Sequence, residues 1–153
     1  MDFFEITPNP THTLLKLKNG FQMVIENNII KITSNVIRLT SEQQLNNYDF
    51  KYSEPESCSI NNIIIESPNF TKILNKIYSI INDGFKIKET PTTFNLKIGE
   101  YKEKGFNYLS DIGISYQGKD ANGTIREIYR QSKHHNILIS IKIKLSDNRI
   151  IQI

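Results

Sequence analysis

Apolar and polar positions alternate along the first forty residues in short runs, and turn residues separate the runs. This pattern is typical of antiparallel strands. The predicted strands cover 13–18, 21–26, 29–33 and 36–40. The dipeptides Asn19-Gly20, Asn27-Asn28 and Ser34-Asn35 lie between them, and Asn-Gly favours a hairpin because a type I′ turn needs positive φ at both central positions. The sequence therefore predicts an N-terminal β-meander with one covered face.

Farther along, apolar residues from Phe70 to Ile81 stand at spacings of three and four, which predicts an amphipathic helix. A strand at 62–66 precedes it. Ser67-Pro68 supplies a cap and a first-turn proline, and Asp83-Gly84 is expected to end the helix. Strands are then predicted at 85–88 and 93–98.

A second unit repeats the strand–helix–strand order. It begins with a strand at 112–116, and Thr124 and Glu127 match a capping box at the start of the second helix. That helix is expected to run to about His135. Isoleucines then alternate with polar residues over 137–145, which predicts a strand buried on its isoleucine face.

With a last strand at 149–153, these elements predict an α+β fold. The sheet is mostly antiparallel, with an N-terminal β-meander and two amphipathic helices packed on one face. The length of 153 residues and a hydrophobic content of 38% fit a single α+β domain, 1–153.

The first ten residues, MDFFEITPNP, carry acids where a signal peptide needs positive charge. No apolar run approaches the roughly 18 residues that cross a bilayer. Cys58 is the only cysteine, which excludes an intrachain disulfide and a thiolate metal cluster. We therefore expect a cytoplasmic protein with no membrane segment.

Motifs for catalysis and cofactor binding are absent: the sequence has no GxSxG, HExxH, CxxC or Gly-rich dinucleotide fingerprint. The segment 118–124, GKDANGT, resembles a phosphate-binding loop but lacks the lysine before its threonine, so we interpret it as a turn and helix cap. His134 and His135 are adjacent and point about 100° apart on a helix, which disfavours one shared metal. We expect no enzyme activity, cofactor or metal. A small metal-independent nuclease pairing His12 with either histidine stays as a distant alternative, which the spacing does not support.

The net charge of +3 arises in the last third of the chain, where residues 105–153 hold seven Lys or Arg against four acids. Arg126, Arg130 and Lys133 form a stripe opposite the apolar side of the second helix, and Lys119 precedes it. This set is the candidate nucleic-acid site. A solvated helix face explains it equally well, because no aromatic residues interleave it for base stacking.

Ser41 to Ser59, SEQQLNNYDFKYSEPESCS, has no helical or strand period and is predicted to be a long loop. It is either a solvated connection or a partner-binding segment, because acids that match a basic partner stand beside aromatic residues typical of interface hot spots. The candidate partner-binding residues are Glu42, Tyr48, Asp49, Phe50, Tyr52, Glu54 and Glu56.

In overall profile, and in the stretch GISYQGKDANGTIREIYRQ (113–131), the chain is similar to bacterial immunity proteins of contact-dependent inhibition and other polymorphic toxin systems. Such proteins neutralise a cognate toxin domain, often a nuclease, by binding it tightly. The resemblance implies a non-catalytic protein whose partner is a cognate toxin domain. Many nuclease-blocking immunity proteins are acidic, so the basic charge leaves the toxin class open. An RNA-associated protein using the basic C-terminal third is the alternative.

Overall fold

The computed structural model describes residues 3–9, 12–17, 21–26, 29–34 and 36–153. The strands are β1 (Phe3–Asn9), β2 (His12–Leu17), β3 (Phe21–Glu26), β4 (Ile29–Ser34), β5 (Val36–Arg38), β6 (Glu54–Ile60), β7 (Ile63–Ile64), β8 (Asn95–Ile98), β9 (Phe106–Leu109), β10 (Ile114–Gln117), β11 (Ile139–Lys144) and β12 (Ile150–Gln152). The helices are α1 (Glu42–Leu45), α2 (Phe70–Ile81), α3 (Gly84–Glu89) and α4 (Ala121–His134). Mostly antiparallel sheets with helices confirm the predicted α+β class.

The N-terminal meander is present as an antiparallel sheet in the order β1-β2-β3-β4. Strand β3 has the predicted bounds, whereas β1 was not predicted. Its Pro8 pairs with Thr13 on an edge strand, where a missing N–H is tolerated. The turns Asn19-Gly20 and Asn27-Asn28, and Asn35 of the third turn, lie outside the described residues.

Strand β5, predicted as the end of the meander, belongs to a different sheet. It pairs in parallel with β12, at the edge of a five-stranded sheet ordered β5-β12-β11-β6-β7. The central strand β11 has the predicted alternation, since Ile141 is 1% exposed and Ile143 is fully buried. This isoleucine face lies in the hydrophobic core, as the sequence pattern predicts.

Helices α2 and α4 pack against each other, and α2 also packs on β6. The predicted apolar stripe of α2 is buried, including Ile73, Leu74 and Ile77. Asn69 caps the helix by accepting a hydrogen bond from the Lys72 backbone N–H at 2.8 Å, so the predicted cap Ser67-Pro68 lies before the true start. None of the helices in the described part of the chain is long and apolar enough to cross a membrane.

The predicted strand 85–88 is wrong, because these residues form α3. Asp83, predicted to end α2, instead caps α3 by accepting from the N–H groups of Phe85 and Lys86. A Cβ on Gly84 would lie 2.1 Å from Ile114 Cγ2, so the close contact between α3 and β10 requires glycine. Local capping and this packing override the strand-like composition of FKIK.

A three-stranded antiparallel sheet, ordered β8-β10-β9, completes the described fold. The predicted strands 93–98 and 112–116 correspond to β8 and β10, and β9 was not predicted. The segment 99–105 connects β8 to β9. The Ser115 hydroxyl of β10 donates to the Gly99 carbonyl and accepts from the Tyr101 N–H, both at 2.8 Å, which anchors the segment to the sheet.

Candidate functional site

The segment predicted as a long acidic loop, 41–59, is largely structured. It contains α1 and most of β6, joined by turns. Leu45 and Phe50 are fully buried in the core. Phe50 therefore has no surface to offer a partner, and its candidate role in binding is corrected to a core role. Its hydrophobic burial outweighs the polar character of its sequence neighbours.

Glu42, one of the candidate partner-binding acids, is paired within the molecule. Both of its carboxylate oxygens accept from the guanidinium of Arg130 in α4, where Nε lies 3.3 Å from Oε2. This hydrogen bonding lowers the pKa of Glu42 against the opposing effect of burial, and the charges of Arg130 and Arg126 lower it further. Two residues predicted for different partners therefore neutralise each other and tie α1 to α4.

Asp49 and Tyr48 also interact with other residues of the protein. Asp49 accepts from the side-chain amide of Asn122 at 2.8 Å and from the Lys51 N–H at 3.0 Å, and these bonds lower its pKa. Asn122 in turn accepts from the Phe50 N–H at 2.8 Å. The half-buried Tyr48 has the Arg149 guanidinium 5.6 Å from its ring centroid. The inner half of the acidic segment, 41–50, is thus joined to the fold.

The outer half of the segment, 52–56, faces solvent. Tyr52 is 80% exposed and has a φ of 60°, and the carboxylates of Glu54 and Glu56 are exposed on β6. The Lys51 ammonium lies 5.0 Å from the centroid of the Tyr52 ring. These three candidate residues remain available to a partner.

The neighbouring edge strand adds apolar surface that the sequence prediction did not include. Ile63 and Ile64 of β7 are 63% and 74% exposed. Strand β7 pairs with β6 only at Ser59 and Ile60, so on that side residues 54–57 have no adjacent strand within the described chain. We call Tyr52, Glu54, Glu56, Ile63 and Ile64 the acidic edge. The sequence places these isoleucines in the predicted strand 62–66 but does not indicate that their side chains face solvent at a sheet edge.

The candidate nucleic-acid residues do not form a continuous basic stripe. Lys119 and Lys133 are exposed, whereas Arg126 and Arg130 are half-buried, because α4 is packed along most of its surface. Arg126 Nε is buried without a hydrogen-bond partner, and the Lys133 ammonium lies 5.3 Å from the Tyr129 ring centroid. On this side of α4 the two arginines are therefore only partly solvated, whereas the two lysines face solvent.

The predicted capping box is also wrong. Helix α4 begins at Ala121, and Asp120 caps it by accepting from the Gly123 N–H at 2.8 Å. A helix cap within 118–124 is thus confirmed, with Asp120 in place of Thr124 as the capping residue. Thr124 is buried one turn inside the helix.

Glu127, predicted to complete the capping box, is a core residue that is 1% exposed. Its carboxylate accepts from the hydroxyls of Tyr78 at 2.9 Å and Thr92 at 2.5 Å, and from the Gln131 amide at 2.9 Å. Burial, together with the adjacent Glu127 charge, raises the pKa of Tyr78. Donors on α2, on the segment after α3 and on α4 itself satisfy the buried acid, so the cluster fastens α4 to α2 and to that segment.

The rings of His134 and His135 meet edge to face, with their centroids 5.0 Å apart. The Nε2 atom of His135 lies 2.9 Å from the Thr90 hydroxyl, while His134 is exposed, and burial lowers the pKa of His135. The side chain of His12 lies outside the described residues. Nowhere in the described ranges do three His, Cys, Asp or Glu side chains converge as a metal site would require. Cys58 is buried, which raises its pKa to about 11.

A basic cleft of about 460 Å³ lies on the outward face of the three-stranded sheet. Lys88, Lys97 and Lys104 line it together with Tyr101 and Phe106. The sequence interleaves lysines and aromatic residues here, in FNLKIGEYKEKGF (94–106), a signal that lies outside the basic set predicted in the last third of the chain. A second cleft of about 390 Å³ lies beside Arg130, Lys133 and His134.

Comparison with known proteins adds no assignment to these sites. No protein-family model, curated protein or solved structure matches the chain.

Proposed function

We propose that this protein is a non-catalytic binding module that docks a basic protein on its acidic edge. The immunity-protein profile makes a cognate toxin domain the partner that we propose. Among the candidate acids, Glu54 and Glu56 stand out because their carboxylates are exposed and neither forms an ion pair in the described residues, although Lys144 stands opposite Glu54 on β11. Such charges steer association with a positively charged surface.

The observation that carries the proposal is the combination of these acids with exposed apolar and aromatic side chains. Tyr52, Ile63 and Ile64 are each more than 60% exposed, as a partner-binding surface requires and as folding alone does not. Tyr52 also has a backbone conformation that favours glycine or asparagine. An exposed aromatic residue kept at such a position supports a role in contact.

The alternative, RNA binding through the C-terminal third, has fewer free charges than its sequence implies. Arg130 is bound to Glu42, and Arg126 is half-buried. Lys119 and Lys133 remain exposed on that side. The alternative therefore predicts that Lys119→Glu with Lys133→Glu abolishes RNA binding, and that binding weakens steeply with salt.

Immunity proteins are encoded next to their toxins, so the proposal expects a neighbouring gene for a large secreted protein, and the test uses the C-terminal domain of that protein. We expect the chain to bind that domain and block its toxicity. In calorimetry, Glu54→Lys with Glu56→Lys should weaken binding by at least about tenfold. The matched control is Glu89→Lys with Glu100→Lys, which reverses two exposed acids away from the edge, and it should bind as wild type.

Equal losses in both double variants would mean that only net charge matters, and the acidic edge would be rejected as the site. Loss of RNA binding in the Lys119 and Lys133 variant, with no toxin binding by the wild type, would replace the proposal with the RNA alternative.

A further inference from the structure

The three-stranded sheet places polar, basic and aromatic side chains on one face. Strand pairing sets Asn95 opposite Gln117 and Gln117 opposite Phe106, and Lys97 follows Asn95 two residues later on the same side of β8. The opposite face carries Leu96, Tyr116 and Ile114, and it packs on the core. The outward face is packed against the segment 99–105 at Ser115 and Gln117 and is open beside them.

The segment 99–105 covers part of this face and completes the basic cleft. Ser115, fully buried, fixes the segment at Gly99 and Tyr101. Gln117 donates to the Lys104 carbonyl at 2.7 Å, which fixes the far end of the segment. Tyr101 and Phe106 then meet edge to face with ring centroids 4.8 Å apart. These hydrogen bonds and the ring contact fix the position of the segment that lines one side of the cleft.

The charge of the cleft is unbalanced. Lys88, Lys97 and Lys104 are exposed, and no carboxylate of the described chain forms an ion pair with any of them. The Lys97 ammonium rests 3.5 Å from the centroid of the Tyr101 ring. The nearby Glu100 is paired with Lys102 at 2.6 Å, and Glu103 accepts from the Tyr101 hydroxyl at 3.4 Å. Three ammonium groups without an ion-pair partner therefore lie beside the rings of Tyr101 and Phe106, an arrangement that attracts an anion.

We propose that this cleft binds a nucleotide, with the phosphate held by the lysines and the base against Tyr101 and Phe106. Ammonium groups bind phosphate as point charges, and aromatic rings stack bases without sequence preference. Lys97 leaves the ring when phosphate binds, because a charge-assisted hydrogen bond to phosphate is stronger than contact with the half-buried Tyr101 ring. The volume of about 460 Å³ lies within the range of about 300–1,000 Å³ typical of small-ligand sites.

Free nucleotide and single-stranded RNA present the same phosphate and base, and the experiment separates them. Binding of adenosine monophosphate, adenosine, inorganic phosphate and a short single-stranded oligoadenylate is measured by NMR titration at low salt. We expect the monophosphate to bind more tightly than adenosine or phosphate alone, because each of these occupies half of the site. A much tighter affinity for the oligonucleotide assigns the site to RNA, and comparable affinities assign it to free nucleotide.

Variants decide whether the cleft is responsible. Lys97→Gln with Lys104→Gln should weaken binding of the monophosphate by at least about tenfold, while Tyr101→Leu should weaken the monophosphate but not inorganic phosphate. Lys102→Gln, on the same segment but outside the cleft, is the matched control and should bind as wild type. The proposal is overturned if neither the monophosphate nor the oligonucleotide binds at millimolar concentration, or if Lys102→Gln weakens binding as much as the cleft variant.

Discussion

The inner and outer halves of the acidic segment each carry two acids and at least one aromatic residue, yet their structural roles are opposite. The inner half, 41–50, buries Leu45 and Phe50 and pairs Glu42 with α4. The outer half, 52–56, leaves Tyr52 and its carboxylates in solvent. The difference shows that charge and aromatic content do not by themselves mark a binding surface. What separates the halves is whether α4 offers partners for their side chains.

The largest effect should come from the aromatic residue of the inner half. We expect Phe50→Ala to lower the free energy of unfolding by about 3–5 kcal/mol, because it leaves a cavity in the core. Tyr52→Ala should change it by no more than about 0.5 kcal/mol, since Tyr52 is 80% exposed. Urea denaturation measures both, and equal losses would remove the distinction between the halves.

A smaller effect, and one that depends on pH, is expected at the ion pair. The Arg130 guanidinium lowers the pKa of Glu42 in the folded protein, so the pair stabilises the fold above the unfolded pKa, near 4.5. That contribution is lost as the pH falls through the folded value. Glu42→Gln should therefore cost about 1 kcal/mol or less near pH 7, and the difference from wild type should shrink below pH 4.5. Urea denaturation across this range tests it. If the stability lost in Glu42→Gln grows as the pH falls, the proposed role of the ion pair is contradicted.

The smallest expected effect is an increase in the free energy of unfolding. Tyr52 has a φ of 60°, which glycine adopts without strain. We expect Tyr52→Gly to raise the free energy of unfolding by about 0.5 kcal/mol or leave it unchanged, while weakening partner binding. Thermal unfolding and calorimetry with the toxin domain check the two parts. Lower stability with full binding would show that Tyr52 supports the fold instead of the contact.

The sequence predicts best where one periodicity dominates. Strand β3, helix α2 and strand β11 lie close to their predicted bounds because their apolar spacing is regular. Helix α3 was predicted as a strand, since its short FKIK sequence contains no helical period and Asp83 was assigned to the preceding helix. Short elements are determined by capping and contact, which one sequence window does not contain.

The candidate site was less predictable than the fold, because it depends on contacts between distant residues. Glu42 and Arg130 lie 88 positions apart, and nothing local indicates that they pair. Glu127 stands three residues after Thr124, as the glutamate of a capping box does. A glutamate buried in the core at this position gives the same sequence, so the spacing does not distinguish the two roles. Exposed Ile63 and Ile64 could not be distinguished from core residues by composition.

The contrast between the halves can be measured along the whole segment by hydrogen exchange, with and without the toxin domain. Docking on the acidic edge should slow backbone exchange at 52–57 and at Ile63 and Ile64, where β6 has an open side. Exchange at 41–50 should stay close to that of the free protein. Protection confined to 119–133 of the α4 region, with no change at the edge, would contradict the assignment of the acidic edge as the binding surface.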